Sequence, residues 1–184
     1  MASLCDVHQI ERVLQPLCDL VGLYKARGPD FLGRAETWLE ELQNALRNAG
    51  FGEASEIAAL RGQVILAREA CDACHDLPAS APPQERSPAA VLNALIHAST
   101  LANGVIAHSR GLNREAARIA LQLVAAAQAK GVYQRSTDHT GVYGAIASDP
   151  DFADVCAHLT GIVGRADAVM LLAKALTYLD PASR

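Results

Sequence analysis

The sequence predicts an all-α protein, and three features of its composition and patterning lead to that class. Hydrophobic residues make up 51% of the 184 residues, charged residues 20% and aromatic residues only 4%. About a fifth of the chain is alanine, the residue with the highest helix propensity. The shortage of aromatic residues argues against a β-sandwich or barrel, and apolar residues recur at helical spacings of three and four along most of the chain.

The N-terminal part carries three successive apolar stripes, each typical of an amphipathic helix. Pro16 interrupts the first stripe, so we expect a kink or two shorter helices there. Gly50 suits the left-handed position that ends the second stripe. Short connections between the stripes predict antiparallel neighbours in a bundle. The predicted core positions are Val7, Ile10, Leu14, Leu17, Val21 and Tyr24, then Phe31, Ala35, Trp38, Leu42, Ala45 and Ala49, and last Ile57, Leu60, Val64, Ala67, Cys71 and Cys74.

The C-terminal part begins after a proline-rich stretch, 77–88, which predicts a linker loop. Ser87–Pro88 starts a helix of small residues that is expected to stop at Gly111, with Asn113 capping the next helix. That next helix has the clearest stripe and ends at Gly131. Its predicted core positions are Ala116, Ile119, Ala120, Leu123, Val124 and Ala127.

Two further helices are expected near the end of the chain. The segment 132–144 is interpreted as a structured loop with one possible turn of helix, and Asp149–Pro150 is a typical helix start. Gly161 and Gly164 are expected to separate the last two helices. Their predicted core positions are Phe152, Val155, Cys156, Leu159, Ile162 and Val163, followed by Val169, Met170, Ala173 and Leu176.

These elements predict a helical bundle of six or seven helices. An N-terminal three-helix unit, 1–76, is expected to pack on a C-terminal helical unit, 89–184. The linker loop 77–88 joins the two units. The sequence leaves open whether the two units share one core.

Charge and cysteine content predict a cytoplasmic protein that binds neither nucleic acid nor membranes. The net charge of −4 and the pI of about 5.8 argue against a basic nucleic-acid face. The apolar stretches 119–129 and 166–173 are shorter than the ~20 residues of a membrane span, and charged residues interrupt the N-terminus where a signal peptide would be apolar. Five cysteines without a framework fit a reducing compartment.

The string Cys71-Asp72-Ala73-Cys74-His75 is the sharpest candidate for chemistry. It matches the C-x-x-C-H pattern of haem attachment, contains the C-x-x-C of redox sites, and offers zinc ligands that Cys156 and His158 could complete. Both cysteines of the string also continue an apolar stripe, so the simplest interpretation makes them small buried hydrophobic residues.

Two histidine arrangements are weaker candidates. His97 and His108 lie on one helical line and could contact a cofactor, but about 16 Å of helix axis separates them, too far for one metal ion. Asp138 and His139 in the segment 132–144 offer a carboxylate beside a general base, without an attached nucleophile motif.

The sequence therefore favours a non-enzymatic binding or regulatory protein that acts through an apolar surface between helices. Its partner would be another protein or a second copy of the chain. The alternative is a helical bundle that holds a metal or cofactor through Cys71, Cys74 and His75, or through His97 and His108. The sequence assigns no catalytic, cofactor-binding or metal-binding residue and no cofactor.

Overall fold

The computed structural model of the chain describes residues 4–73, 86–133 and 138–179. These residues form helices and no strand, which confirms the all-α class; eight helices are present, against six or seven predicted. The helices are α1 (Leu4–Leu14), α2 (Leu17–Lys25), α3 (Phe31–Asn48), α4 (Ala54–Ala73), α5 (Arg86–Lys130), α6 (His139–Ser148), α7 (Ala153–Val163) and α8 (Arg165–Leu179).

The helices divide into two compact units. The N-terminal unit comprises Cys5–Ala107 and the C-terminal unit contains His108–Arg184, so the division falls within α5. The sequence places the division at 77–88 instead. Residues 74–85 lie outside the described part of the chain, and the linker loop therefore stays a prediction.

The break between α1 and α2 follows from Pro16, which has no N–H to donate to a helix. Trp38 of α3 donates its indole N–H to the carbonyl of Val13, at 2.6 Å, and so fixes the end of α1 to another helix. The sequence allowed either a kink or two helices here, and two helices form. Val7 and Ile10 of the predicted stripe are buried, whereas Leu14, Leu17, Val21 and Tyr24 are half-buried.

Helix α3 forms the centre of the N-terminal core and packs against α2 and α4. Its predicted stripe is confirmed at every position, because all six side chains are at most 5% exposed. Gly50 ends the helix with a φ of +76°, and Phe51 donates its N–H to the carbonyl of Leu46 at 2.9 Å. In α4, the predicted core positions Ile57, Leu60 and Val64 are buried.

Helix α5 shows that the prediction of a helix end at Gly111 is wrong. The helix continues without interruption, so Asn113 caps nothing. Buried residues recur at spacings of three and four on both sides of Gly111, and burial of this stripe outweighs the ~1 kcal/mol that an exposed glycine costs a helix. The buried positions flanking the glycine are Ala102, Val105, Ser109, Ala116 and Ile119.

Replacing Gly111 by alanine is expected to raise the free energy of unfolding by about 0.4–1 kcal/mol. Gly111 is exposed and helical, and a Cβ added there meets no atom within 4 Å, so alanine restricts the unfolded chain without a steric conflict. Gly131→Ala is the matched control at the end of the same helix. Gly131 has a φ of +74°, and alanine should destabilise it by about 1 kcal/mol. Urea denaturation followed by circular dichroism measures both changes in the free energy of unfolding. If both variants were stabilised, or both destabilised, the helix boundaries would be contradicted.

The C-terminal unit is built around one core that α5, α6, α7 and α8 share. All six predicted core positions between Ala116 and Ala127 are buried, and Gly131 ends α5 as predicted. Part of the predicted loop 132–144 is helical, because α6 begins at His139. Helix α7 begins at Ala153 rather than at Asp149–Pro150.

The core faces of α7 and α8 differ in part from the predicted ones. Val155 and Met170 are 43% and 44% exposed, whereas Leu172 is completely buried. Gly161 lies within α7, and the break falls at Gly164 alone, where φ is +84°. The buried face of α8 is rotated by about one residue from the predicted stripe. The side chains that α8 buries are Asp167, Ala168, Leu172 and Ala175.

Helix α5 is longer than any apolar stretch expected from the sequence. Its segment Pro88–Lys130 is long and apolar enough to cross a membrane by length and composition alone. Helices α7 and α8 meet the same criteria only as a pair bent by 115°. Core helices of water-soluble proteins also meet these criteria, so the membrane prediction remains untested.

Candidate functional site

The Cys71-Cys74-His75 string lies at the edge of the described chain. Cys71 belongs to the last turn of α4, and its side chain is outside the described part. Cys74 and His75 also lie outside the described residues. The haem, redox and zinc hypotheses for this string therefore stay predictions.

His97 and His108 both lie on α5, and both side chains are exposed. Eleven residues of helix separate them by about 16 Å, as the sequence predicts. Within the described ranges, no group of three or more His, Cys, Asp or Glu side chains is arranged to hold a metal ion. The structure thus brings no further ligand to either histidine among the residues it describes.

Asp138 has a local structural role. It is the N-cap of α6, and its carboxylate accepts a hydrogen bond from the N–H of Gly141 at 2.6 Å. His139 is the first residue of the helix and is exposed. The carboxylate is therefore directed to the backbone of the helix.

Replacing Asp138 by alanine is expected to destabilise the C-terminal unit by about 1 kcal/mol, because it removes the acceptor for a free N–H at the start of α6. Asp138→Ser retains a capping oxygen and should recover most of this loss. Thermal unfolding monitored by circular dichroism measures both variants. Equal stability of the alanine and serine variants would show that the cap contributes nothing.

Cys156 and His158 point in different directions from α7. The Cys156 side chain is 1% exposed, whereas His158 is exposed. Burial raises the pKa of the Cys156 thiol, and the nearby Tyr143 hydroxyl acts in the opposite direction as the smaller effect. A raised pKa keeps this thiol protonated at neutral pH, which disfavours both nucleophilic attack and metal binding.

A polar network that the sequence did not predict surrounds this cysteine. Thr160 donates its hydroxyl hydrogen to the carbonyl of Cys156 at 2.8 Å, so Tyr143 must be the donor in its 3.0 Å contact with the Thr160 oxygen. The guanidinium of Arg165 lies 5.5 Å from the centre of the Tyr143 ring. These contacts join α6, α7 and the first residue of α8. The hydroxyl groups of Tyr143 and Thr160 each find a hydrogen-bond partner inside the C-terminal unit.

A second cluster, of charged side chains and one aromatic ring, lies at the C-terminal end of α5. The Lys130 ammonium contacts Asp149 at 2.7 and 2.9 Å and Asp151 at 2.7 Å, and it lies over the ring of Phe152. The hydrogen bond that Lys130 donates to Asp149, followed by the one to Asp151, raises the pKa of Lys130, and the same contact lowers the pKa of Asp149. Both shifts favour the charged forms. Exposed ion pairs of this kind contribute little to stability, so the cluster mainly fixes the turn between α6 and α7.

Helix α4 presents its two arginines to carboxylates of α3. The Arg61 guanidinium contacts Glu40 at 3.0 Å and Glu36 at 3.9 Å. Arg68, two turns further along, also pairs with Glu36. Both arginines of α4 are thus engaged by carboxylates of α3.

The opposite side of α4 carries small and apolar residues that the fold covers only in part, and exposed Gln63 lies among them. Leu66 is 67% exposed, and Ala59, two turns earlier, is exposed as well. A Cβ added at Gly62 would meet nothing within 4 Å. We call this surface the α4 outer face and define it by Ala58, Ala59, Gly62, Ile65 and Leu66. The sequence contains this second stripe at helical spacing, but only the stripe of Ile57, Leu60 and Val64 was assigned to α4.

Comparison with known proteins finds no family model, no curated protein and no solved structure that matches this chain. The chemistry and exposure of the described residues therefore carry the functional proposal.

Proposed function

We propose that this chain is a non-enzymatic helical protein that binds another protein through the α4 outer face. The observation that carries the proposal is the exposure of Leu66, whose side chain is 67% exposed on the side of α4 that also carries Ala59 and Gly62. A helix with apolar residues on two sides buries one side in its own core. The second side is then available to a partner.

The α4 outer face suits recognition of a partner helix. In helix-to-helix recognition, a few apolar anchors at spacings of three and four supply most of the affinity, and small residues beside them allow close approach. Leu66 is such an anchor, and exposed Ala59 lies two turns earlier on the same line of the helix. Gly62, Ala58 and Ala59 leave room for the backbone of the partner.

The other exposed apolar side chains form less continuous surfaces. Ile96 is 53% exposed on α5, and its outward neighbours Asn93 and Thr100 are polar. On α8, exposed Lys174 lies one turn from both Met170 and Tyr178. Gln63 and Glu69 border Leu66 as well, but Ala59 and Gly62 add small, uncharged area beside it, which favours α4 over isolated apolar side chains.

We also propose that the chain acts in the cytoplasm, bound to neither membrane nor nucleic acid. The face that α5 exposes is largely polar, which supports an aqueous environment for this helix, since a lipid-facing surface would be apolar. The net charge of −4 supports the absence of a nucleic-acid partner. The polar side chains exposed on the first half of α5 are Asn93, His97, Thr100, Asn103 and His108.

A designed amphipathic peptide tests the proposal, because it offers an apolar helical face whatever the natural partner is. The peptide has 14 residues, leucine along one helical face and glutamine elsewhere. We expect fluorescence anisotropy to show binding that Leu66→Ala weakens about tenfold or more, the loss expected for an apolar anchor. Met170→Ala, which removes an exposed apolar side chain from the C-terminal unit, should leave the affinity unchanged. Equal effects of the two variants would contradict the proposal.

The oligomeric state shows whether the α4 outer face is covered by a second copy of the chain. Sedimentation equilibrium of the native chain at increasing concentration measures self-association directly. A dimer that dissociates in Leu66→Ala would mean that two copies of the chain cover each other's α4 outer face. We expect the chain to remain monomeric, because two copies of this face would bring like charges together.

A further inference from the structure

The unpaired charges on the described side chains of α4 are both negative. Glu56 and Glu69 are exposed and lie before and after Leu66 on α4. Neither carboxylate has an ion-pair partner in the part of the chain that the structure describes. The two arginines of the helix, Arg61 and Arg68, border Ile65, but their charges are paired with Glu36 and Glu40 of α3. The outward charge of α4 is therefore negative.

We propose that the occupant of the α4 outer face is a basic amphipathic helix from another protein; this rests on the proposed function. Lysine or arginine side chains at its flanks would face Glu56 and Glu69, while its apolar face covers Leu66. The two glutamates are thirteen residues apart, or about 20 Å along the axis, a length that three to four helical turns of a partner match. Acidic residues also outnumber basic ones by 13 to 8 over residues 5–107, which attracts a basic segment at longer range.

The same charges disfavour a second copy of this face as the occupant. If two α4 helices paired in parallel, Glu56 would approach Glu56 and Glu69 would approach Glu69. If they paired in antiparallel fashion about Gly62, Glu56 of one copy would approach Glu69 of the other. Like charges at an interface oppose association in either arrangement.

Three peptides that differ only in charge test this inference. Each has 14 residues and the same leucine face, with lysine, glutamine or glutamate at the remaining positions. We expect the Leu/Lys peptide to bind about tenfold tighter than the Leu/Gln peptide at low salt, and the Leu/Glu peptide to bind most weakly. The advantage of lysine should shrink as salt is raised, because salt screens exposed charges.

Variants of the native chain locate the charge effect. The double variant Glu56→Gln, Glu69→Gln should remove the preference for lysine while retaining the affinity for the Leu/Gln peptide. The matched control is Glu115→Gln with Asp154→Asn, which changes the net charge equally at exposed positions of the C-terminal unit. This control should leave the preference intact. If it removed the preference as fully as the first variant, non-specific attraction would replace a defined site and overturn the inference.

The outcomes separate this inference from the proposed function. Equal binding of the Leu/Lys and Leu/Gln peptides, weakened in both cases by Leu66→Ala, would retain the apolar binding site and overturn its preference for a basic partner. If Leu66→Ala changed the binding of no peptide, the proposed function and the inference would both fail.

Discussion

Replacing Trp38 by alanine is expected to lower the free energy of unfolding of the N-terminal unit by about 3–5 kcal/mol. The indole ring is 3% exposed in the core, so its removal leaves a large cavity among well-packed helices. The substitution also removes the donor for the Val13 carbonyl, which lies at the end of α1 just before the break at Pro16. A loss of this size is a large fraction of the stability of a typical domain, and we expect the variant to be partly unfolded at 37 °C.

Trp38→Phe separates the two contributions. Phenylalanine fills much of the same volume but donates no hydrogen bond, so we expect a loss of about 1–2 kcal/mol from the unpaired carbonyl and the smaller ring. Urea denaturation monitored by circular dichroism measures both variants, because Trp38 is the single tryptophan of the chain and its own fluorescence is lost. A phenylalanine variant as stable as the native chain would show that the indole hydrogen bond contributes nothing.

The thiol of Cys156 is expected to react with N-ethylmaleimide about a thousandfold more slowly than the thiol of Cys18. Cys18 is exposed near the start of α2, whereas Cys156 is buried in the C-terminal core. A buried thiol reacts only after the structure opens, and an opening that costs about 4 kcal/mol slows the reaction by about three orders of magnitude. Burial also raises the pKa of Cys156, which lowers the fraction of reactive thiolate at neutral pH.

Peptide mapping by mass spectrometry after timed labelling of the native chain measures each cysteine separately. In 8 M urea, both residues should react at similar rates, which controls for intrinsic reactivity. Tyr143→Phe breaks the hydrogen bond to Thr160 and should increase the labelling rate of Cys156 by loosening the contact between α6 and α7. Equal rates for Cys18 and Cys156 in the native chain would contradict the burial of the α7 core face.

The sequence was sufficient to predict the buried face of a helix where its apolar residues repeat regularly and it packs against a single core. All six predicted positions of α3 are buried, and so are all six between Ala116 and Ala127 in α5. In both stretches the apolar residues repeat every three or four positions without interruption. The left-handed ends at Gly50 and Gly131 were predicted for a related reason, because only glycine adopts a positive φ without strain.

The errors occurred where local signals competed with packing. Gly111 resembles a helix end by propensity, yet the buried stripe on both sides of it continues in phase, and tertiary burial outweighs propensity. Met170 resembles a core residue by spacing, but α8 packs with a neighbouring stripe inward, so that Leu172 is buried and Met170 is exposed. Where one helix carries two nearly equivalent apolar stripes, the sequence does not show which of them is buried. That depends on the positions of the helices that pack against it.

The same distinction applies to the candidate site. The sequence supplied the residue types of α4, including its second apolar stripe, but it could not establish which stripe the N-terminal core would cover. Burial of Ile57, Leu60 and Val64 in the N-terminal core decided the orientation of the helix, and Leu66, Glu56 and Glu69 face outward as a result.

By itself, the sequence determined the all-α class, the phase of the longest stripes and the glycine-terminated helix ends. These properties depend on backbone conformation and on periodicity within one element. Only the tertiary structure decided that α5 is continuous, that α8 is rotated and that the outer face of α4 is partly uncovered. Each of these depends on contacts between residues far apart in the chain, and burial against distant helices is worth more than the local preferences that a sequence displays.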